Sequence, residues 1–133
     1  MAQVVKNRFN EIYTVVKKGI QDICPNTTTE NSGTALKFPT MAMTLMDMSG
    51  TGYDFQMNEG GVNISIQTDV YTQGTGAKNA GYNISQEIRA IMAGMGFRCT
   101  SGMVSSSSED GKSNRVTCRF TRLLGAGDIL KIS

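Results

Sequence analysis

A chain of 133 residues, of which 39% are hydrophobic and 18% charged, is long enough for one hydrophobic core and too apolar for intrinsic disorder. Its net charge of +2 does not favour strong electrostatic binding of nucleic acid, and the lack of histidine excludes Ser-His-Asp and Cys-His catalytic pairs. Charges interrupt the N-terminal run, so we expect no signal peptide, no transmembrane segment and folding in a cytoplasm.

Apolar residues recur every three or four positions in the first two dozen residues, which predicts an amphipathic helix that ends at Pro25. The next segment is rich in Thr, Asn, Ser and Gly without an apolar period, and we expect a loop. Long loops in compact domains are often contact surfaces. We therefore expect an interface at Asn26 to Lys37, with Asn26, Thr28 and Lys37 as candidates.

The run TMAMTLMDM, residues 40–48, predicts a strand with apolar side chains on both faces. Its four methionines fit a core, although an adaptable contact surface stays open. The connection from Gly50 to Gly60 is rich in glycine and carries Tyr53 and Phe55, aromatic residues without a core role there. These two side chains are candidates for contact with a partner.

A strand and a helix dominate the centre of the chain. Apolar and polar residues alternate from Val62 to Val70, which predicts a half-buried strand. Gly74 and Gly76 interrupt this alternation, and from Ala77 to Met95 the apolar spacing becomes that of a helix. Gly96 follows the last apolar position, as glycine commonly does at a helix C-terminus.

The runs FRCTSGMV and NRVTCRFTRLL predict a final hairpin around the polar loop SSSSEDGKS. A turn near Ser108 and Glu109 would set Cys99 opposite Cys118 on an apolar face. The three cysteines lack CxxC spacing, so we expect reduced thiols and no metal site. In the hairpin loop, Ser105 to Ser113, the candidate contacts are Glu109 and Lys112.

The other face of the hairpin carries Arg98, Arg115 and Arg119. These arginines could bind nucleic acid with Tyr71 beside them, pair with acidic groups of an adjacent subunit, or be solvated. The tail after the hairpin contains Ile129, Leu130 and Ile132, which could pair with an edge strand of the same chain or of a neighbour.

The element order helix, strand, strand, helix, strand, strand predicts an α+β fold. We expect an antiparallel four-stranded sheet with both helices on one face, because hairpins join neighbouring strands and both apolar helix stripes need the same sheet face. Residues 1–133 would form one domain, with 125–133 as a C-terminal extension. Scattered carboxylates and the absence of a phosphate-binding loop argue against an enzyme.

Three segments of the chain resemble the tail terminator proteins of long-tailed bacteriophages, also called tail completion or head-to-tail joining proteins. They are FPTMAMTLMD, VNISIQTDVYTQG and AKNAGYNISQEIRAIMAGMGF, and they follow the amphipathic first helix. The likeness extends from about Val4 to Leu124 and is best at Ile66 to Tyr71 and at Gly96 and Phe97. The chain also resembles minor capsid proteins of phages that infect Gram-positive hosts.

This resemblance implies a structural virion protein of the tail or neck, without enzyme activity, cofactor, metal or membrane. It implies an oligomeric ring, hexameric in relatives, that ends the tail tube and joins it to the head connector. The implied partners are further copies of the chain, the major tail tube protein and the head-completion or stopper protein, with DNA passing through the lumen without sequence-specific contact. A nucleic-acid-binding α+β module and another neck or head-completion component stay open as alternatives.

Overall fold

The computed structural model describes residues 7–29, 37–51, 60–108 and 112–125. The described chain is an α+β fold of two helices and a six-stranded mixed sheet. Its elements in chain order are α1 (Phe9–Ile20), β1 (Asn26–Thr28), β2 (Thr40–Thr51), β3 (Gly61–Gln73), α2 (Ala77–Gly94), β4 (Arg98–Cys99), β5 (Val104–Ser107) and β6 (Ser113–Gly125).

One hydrophobic core lies between the helices and one face of the sheet. The apolar stripe of α1 buries Ile12, Val16 and Ile20, and that of α2 buries Ile84, Ile88 and Met92. Alternate residues of β2, β3 and β6 complete this core, and they include Met41, Met43, Ile64, Ile66, Val116, Cys118 and Phe120. The helical and strand periodicities of the sequence therefore place these residues correctly in the core. The prediction that both helices cover the same face of the sheet is also confirmed.

The sheet is larger than the four antiparallel strands predicted. Its strand order is β1-β2-β3-β6-β4, and β5 also pairs with β6. The antiparallel pairs are β2 with β3, β3 with β6, β4 with β6 and β5 with β6. Only β1 is parallel to its described neighbour, β2, with Asn26 beside Thr40. The prediction of a loop from Asn26 onward is therefore wrong for residues 26–28. A polar strand of three residues has no apolar period, so the sequence pattern does not show it, and pairing with the edge of β2 orders it.

The outer strand of the last hairpin is also divided, into β4 and β5. Cys99 pairs with Phe120 and Val104 with Thr117, so the outer chain has two more residues than β6 between these pairs. Gly102, at φ 70°, lies in this irregular stretch. The expected pairing of Cys99 with Cys118 is therefore wrong, although both cysteines lie on the core side as predicted.

Glycines at both ends of α2 fix how this helix meets the sheet. Gly74 and Gly76 have φ angles of 90° and 76° in the turn after β3. At the other end, Gly96 has φ 87°, and its N–H donates to the Ala93 carbonyl at 3.0 Å while the Phe97 N–H donates to the Met92 carbonyl at 2.9 Å. This is the Schellman arrangement that the glycine after the helical pattern predicts.

Candidate functional site

The face of the sheet that points away from the helices is polar, and we call it the polar face. The strand registers assign its residues, since directly opposed residues of antiparallel strands share a face. Its central members are Thr40, Ala42, Thr44, Gln67, Asp69, Tyr71, Arg98, Arg115, Thr117 and Arg119. All three predicted arginines are among them, so the face assignment made from the hairpin pattern is confirmed.

Asp69 on β3 is the centre of this face and is fully buried, with 0% of its surface exposed. The Arg115 Nε donates to its Oδ1 at 2.9 Å, and the Thr117 hydroxyl donates to the same oxygen at 2.7 Å. The other carboxylate oxygen accepts a hydrogen bond from the Gln67 side-chain amide at 3.0 Å. A buried carboxylate needs such charged and neutral donors, because burial without them costs several kcal/mol.

The hydrogen-bond network continues along β6 in both directions. The Arg119 Nε donates to the Gln67 side-chain carbonyl at 3.0 Å, so Gln67 links the second arginine to Asp69. The Arg115 guanidinium lies 5.9 Å from the centre of the Tyr71 ring, a cation–π distance. The hydrogen bond to Asp69 is the main cause that raises the pKa of Arg115.

This network changes the interpretation of the arginine face. Arg115 forms an ion pair with Asp69 of the same chain, so its charge is balanced within the chain. Arg98 and Arg119 are exposed and face solvent on the same surface. The polar face therefore carries less uncompensated positive charge than the three arginines alone indicate. Sequence periodicity placed Asp69 and Arg115 on polar faces, but only the register of β3 and β6 brings them together.

The predicted interface residues divide between described and undescribed parts of the chain. Asn26 and Thr28 belong to β1 and are half-buried, and the Asn26 amide donates to the Pro39 carbonyl at 3.1 Å. Lys37 and Lys112 are exposed just before β2 and β6. The remaining candidates lie outside the described residues: Tyr53, Phe55, Glu109, Ile129, Leu130 and Ile132.

Two recesses lie at the end of the sheet where β2 begins. A cleft of about 380 Å³ opens between the end of α1 and the first half of α2, and Ile23, Pro39 and Ile84 line it. A second recess of about 290 Å³ is lined by Tyr71, Arg115 and serines of the last hairpin. Phe38 borders both. The first recess is mainly apolar, whereas the second offers hydroxyl groups beside a guanidinium.

The outer edge of β2 is the longest strand edge that other described strands leave unpaired. β1 covers β2 only from Thr40 to Ala42, so no described strand pairs with the outer edge from Met43 to Thr51. A β-bulge interrupts β2 between Leu45 and Asp47. Met46 and Met48 flank Asp47 and are 45% and 50% exposed. Met41 and Met43 are buried in the core, whereas Met46 and Met48 are not part of it.

The thiols give no sign of a reactive or metal-binding centre. Burial raises the pKa of Cys24 to about 11 and that of Cys118 to about 12, so both thiols are protonated at neutral pH. Within the described ranges no group of three Cys, Asp or Glu side chains could hold a metal ion. No helix of the described chain is long and apolar enough to cross a membrane.

The chain matches no protein-family model, and a search of curated proteins found no significant match.

Proposed function

We propose that this chain is a structural virion protein that ends a phage tail tube as an oligomeric ring and joins the tube to the head connector. The ring is a hexamer, DNA passes through its lumen, and the chain assembles in the host cytoplasm without catalytic activity. Its partners are further copies of itself, the major tail tube protein and the head-completion or stopper protein. The resemblance to tail terminators, which extends from about Val4 to Leu124, supports this class of function.

The structural observation that supports the proposal most is the polar face with its internally balanced charge. A lumen through which DNA moves needs a hydrated surface that holds phosphates weakly, since each neutralised phosphate adds to affinity through counterion release. Asp69 offsets the charge of Arg115 on this face, while Arg98 and Arg119 remain exposed. Asp69 and Gln67 are buried, and the exposed positions of this face, among them Arg98 and Arg119, fit a lumen or an inter-subunit surface better than a tight nucleic-acid site.

Native mass spectrometry of the chain, alone and mixed with the tail tube protein of the same genome, tests the proposal. A discrete closed oligomer that binds the tube protein is the expected result. Electron microscopy of the mixture then shows whether rings sit at tube ends. A chain that neither associates nor binds the tube protein contradicts the proposal.

The alternative of a nucleic-acid-binding module is favoured by one observation, the Arg115–Tyr71 stack beside the hydroxyl-lined recess. Arginine and aromatic side chains together are typical of surfaces that bind single strands. The test is binding of single-stranded DNA across a salt series, with Arg98→Glu and Arg119→Glu combined. Arg115 is left intact because a carboxylate in its place would meet buried Asp69. Strong salt-dependent binding that the double variant abolishes would favour this alternative over the ring.

A further inference from the structure

Two thiols lie side by side on neighbouring strands of the sheet. Cys99 ends β4, Cys118 lies in β6, and both side chains are on the core side. Cys99 pairs with Phe120, so Cys118, two residues along β6, is its diagonal neighbour on the same face. The Thr100 N–H donates to the Arg119 carbonyl at 2.8 Å, so contacts with β6 hold the chain on both sides of Cys99.

The two thiols are close enough to interact. Burial is the main cause that raises the pKa of Cys118, and the neighbouring Cys99 thiol is the next. Diagonal neighbours in a regular antiparallel pair have Cα atoms about 7–8 Å apart, and a disulfide needs a separation below about 7 Å. Because β4 is only 2 residues long and the irregular stretch with Gly102 follows it, a shift of about 1 Å does not disturb a long ladder.

Exposure gives the two thiols different roles. Cys99 is half-buried, whereas Cys118 has 0% of its surface exposed, so a reagent in solution reaches Cys99 first. The third thiol, Cys24, is also buried, and its Sγ contacts the Asn26 carbonyl of β1 at 3.6 Å. Since β1 and β4 are at opposite ends of the strand order, Cys24 does not reach the other two thiols.

We propose that Cys99 and Cys118 form an internal disulfide when the chain meets a low-molecular-weight disulfide such as oxidised glutathione. The Cys99 thiolate attacks one sulfur of the reagent and releases one reagent thiol, which leaves a mixed disulfide on Cys99. The Cys118 thiolate then attacks the Cys99 sulfur and releases the second reagent thiol. The two protein thiols are oxidised, the reagent gains two electrons, and both protons end on the released thiols.

This pair is a modification site and not a catalytic centre. Burial raises the pKa of Cys118 to about 12, so its thiolate is scarce at neutral pH and the second step is slow. The bridge would tie β4 to β6, stay reduced in a cytoplasm and form in oxidising surroundings. A released virion meets such surroundings. That timing rests on the proposed function, whereas the bridge itself does not.

Exchange of the folded full-length chain with oxidised glutathione at mildly alkaline pH, followed by blocking of the remaining thiols, tests the proposal. Trypsin cuts after Arg98, Lys112 and Arg115, so Cys99 and Cys118 fall in different peptides that only a disulfide joins. Mass spectrometry of the unreduced digest should show this joined pair, with Cys24 carrying the blocking group. The intact mass should be that of a single chain that has lost two hydrogen atoms.

Two variants separate the steps of the reaction. Cys118→Ala lacks the second thiol and should accumulate about tenfold more mixed disulfide on Cys99 than the original chain, because an intramolecular thiol acts at about millimolar effective concentration or higher. Cys24→Ala is the matched control, since it removes a buried thiol far from the pair, and it should form the bridge as the original chain does. Circular dichroism checks that both variants are folded.

Four results would overturn the inference: an unmodified Cys99, a mixed disulfide that persists on Cys99 of the original chain, joined peptides that contain Cys24, or disulfides between chains. If Cys118→Ala does not fold, the peptide map of the original chain decides alone. Ring assembly and tube binding are measured on the reduced chain. A missing bridge therefore leaves the proposed function standing, and a chain that bridges but does not assemble contradicts only the proposed function.

Discussion

Replacing Arg115 by methionine tests whether the Asp69 network stabilises the fold. The substitution keeps the aliphatic stem and removes the guanidinium, so buried Asp69 loses a charged donor while Thr117 and Gln67 still donate to it. Breaking a buried ion pair on one side costs about 3–5 kcal/mol. Because 42% of the Arg115 side chain is exposed, solvent already screens part of the interaction, and we expect a loss of about 2–3 kcal/mol.

Urea unfolding monitored by circular dichroism measures this loss, which corresponds to a fall in melting temperature of about 10 °C for a domain of this size. Arg119→Met is the matched control, because it removes the same charge from the same face but only from neutral Gln67. We expect it to cost less than about 1 kcal/mol. Adding Asp69→Asn to Arg115→Met should recover part of the loss, since the neutral amide at position 69 has no charge for a guanidinium to balance. Equal effects of the two methionine variants would refute the reasoning.

Three further predictions concern the packing of α2 and the thiols. A methyl group at Gly81 would lie 2.9 Å from the Val116 Cγ2, so Gly81→Ala should lower the free energy of unfolding by about 1 kcal/mol even though alanine has the better helix propensity. Asn83→Ala, at an exposed position of the same helix, should raise the free energy of unfolding slightly. Urea unfolding compares the two variants, and a Gly81→Ala variant more stable than the original chain would contradict the close packing. In the native chain a thiol reagent should modify half-buried Cys99 before buried Cys24 and Cys118, as peptide mass mapping will show, and equal rates would contradict the burial. Burial raises the pKa of Cys24 from 9.0 to about 11 and that of Cys118 from 9.0 to about 12, so the contribution of the two thiols to stability is complete below about pH 9 and is lost as the pH rises toward 11 and 12. The double variant Cys24→Ala, Cys118→Ala should therefore lose less stability than the original chain between about pH 9 and pH 12. The same pH dependence of stability in both chains would contradict this prediction.

The sequence alone determined the elements that have a strong period. Alternation from Val62 to Val70 predicted β3, and the three-to-four spacing after Ala77 predicted α2, because burial of one face selects apolar residues at the period of the element. Gly96 marked the end of α2 because its φ of 87° disfavours other residues. The same alternation placed the hairpin arginines on the face away from the helices.

Only the tertiary structure decided which residues meet across the sheet. β1 is short and polar, so it has no period and is ordered by pairing with β2. The two additional residues between β4 and β5 move Cys99 opposite Phe120, a shift that no local pattern shows. Asp69 and Arg115 are 46 positions apart, and their contact depends on the register of β3 with β6. Periodicity fixes the face on which a side chain lies, whereas its partner depends on how distant strands align.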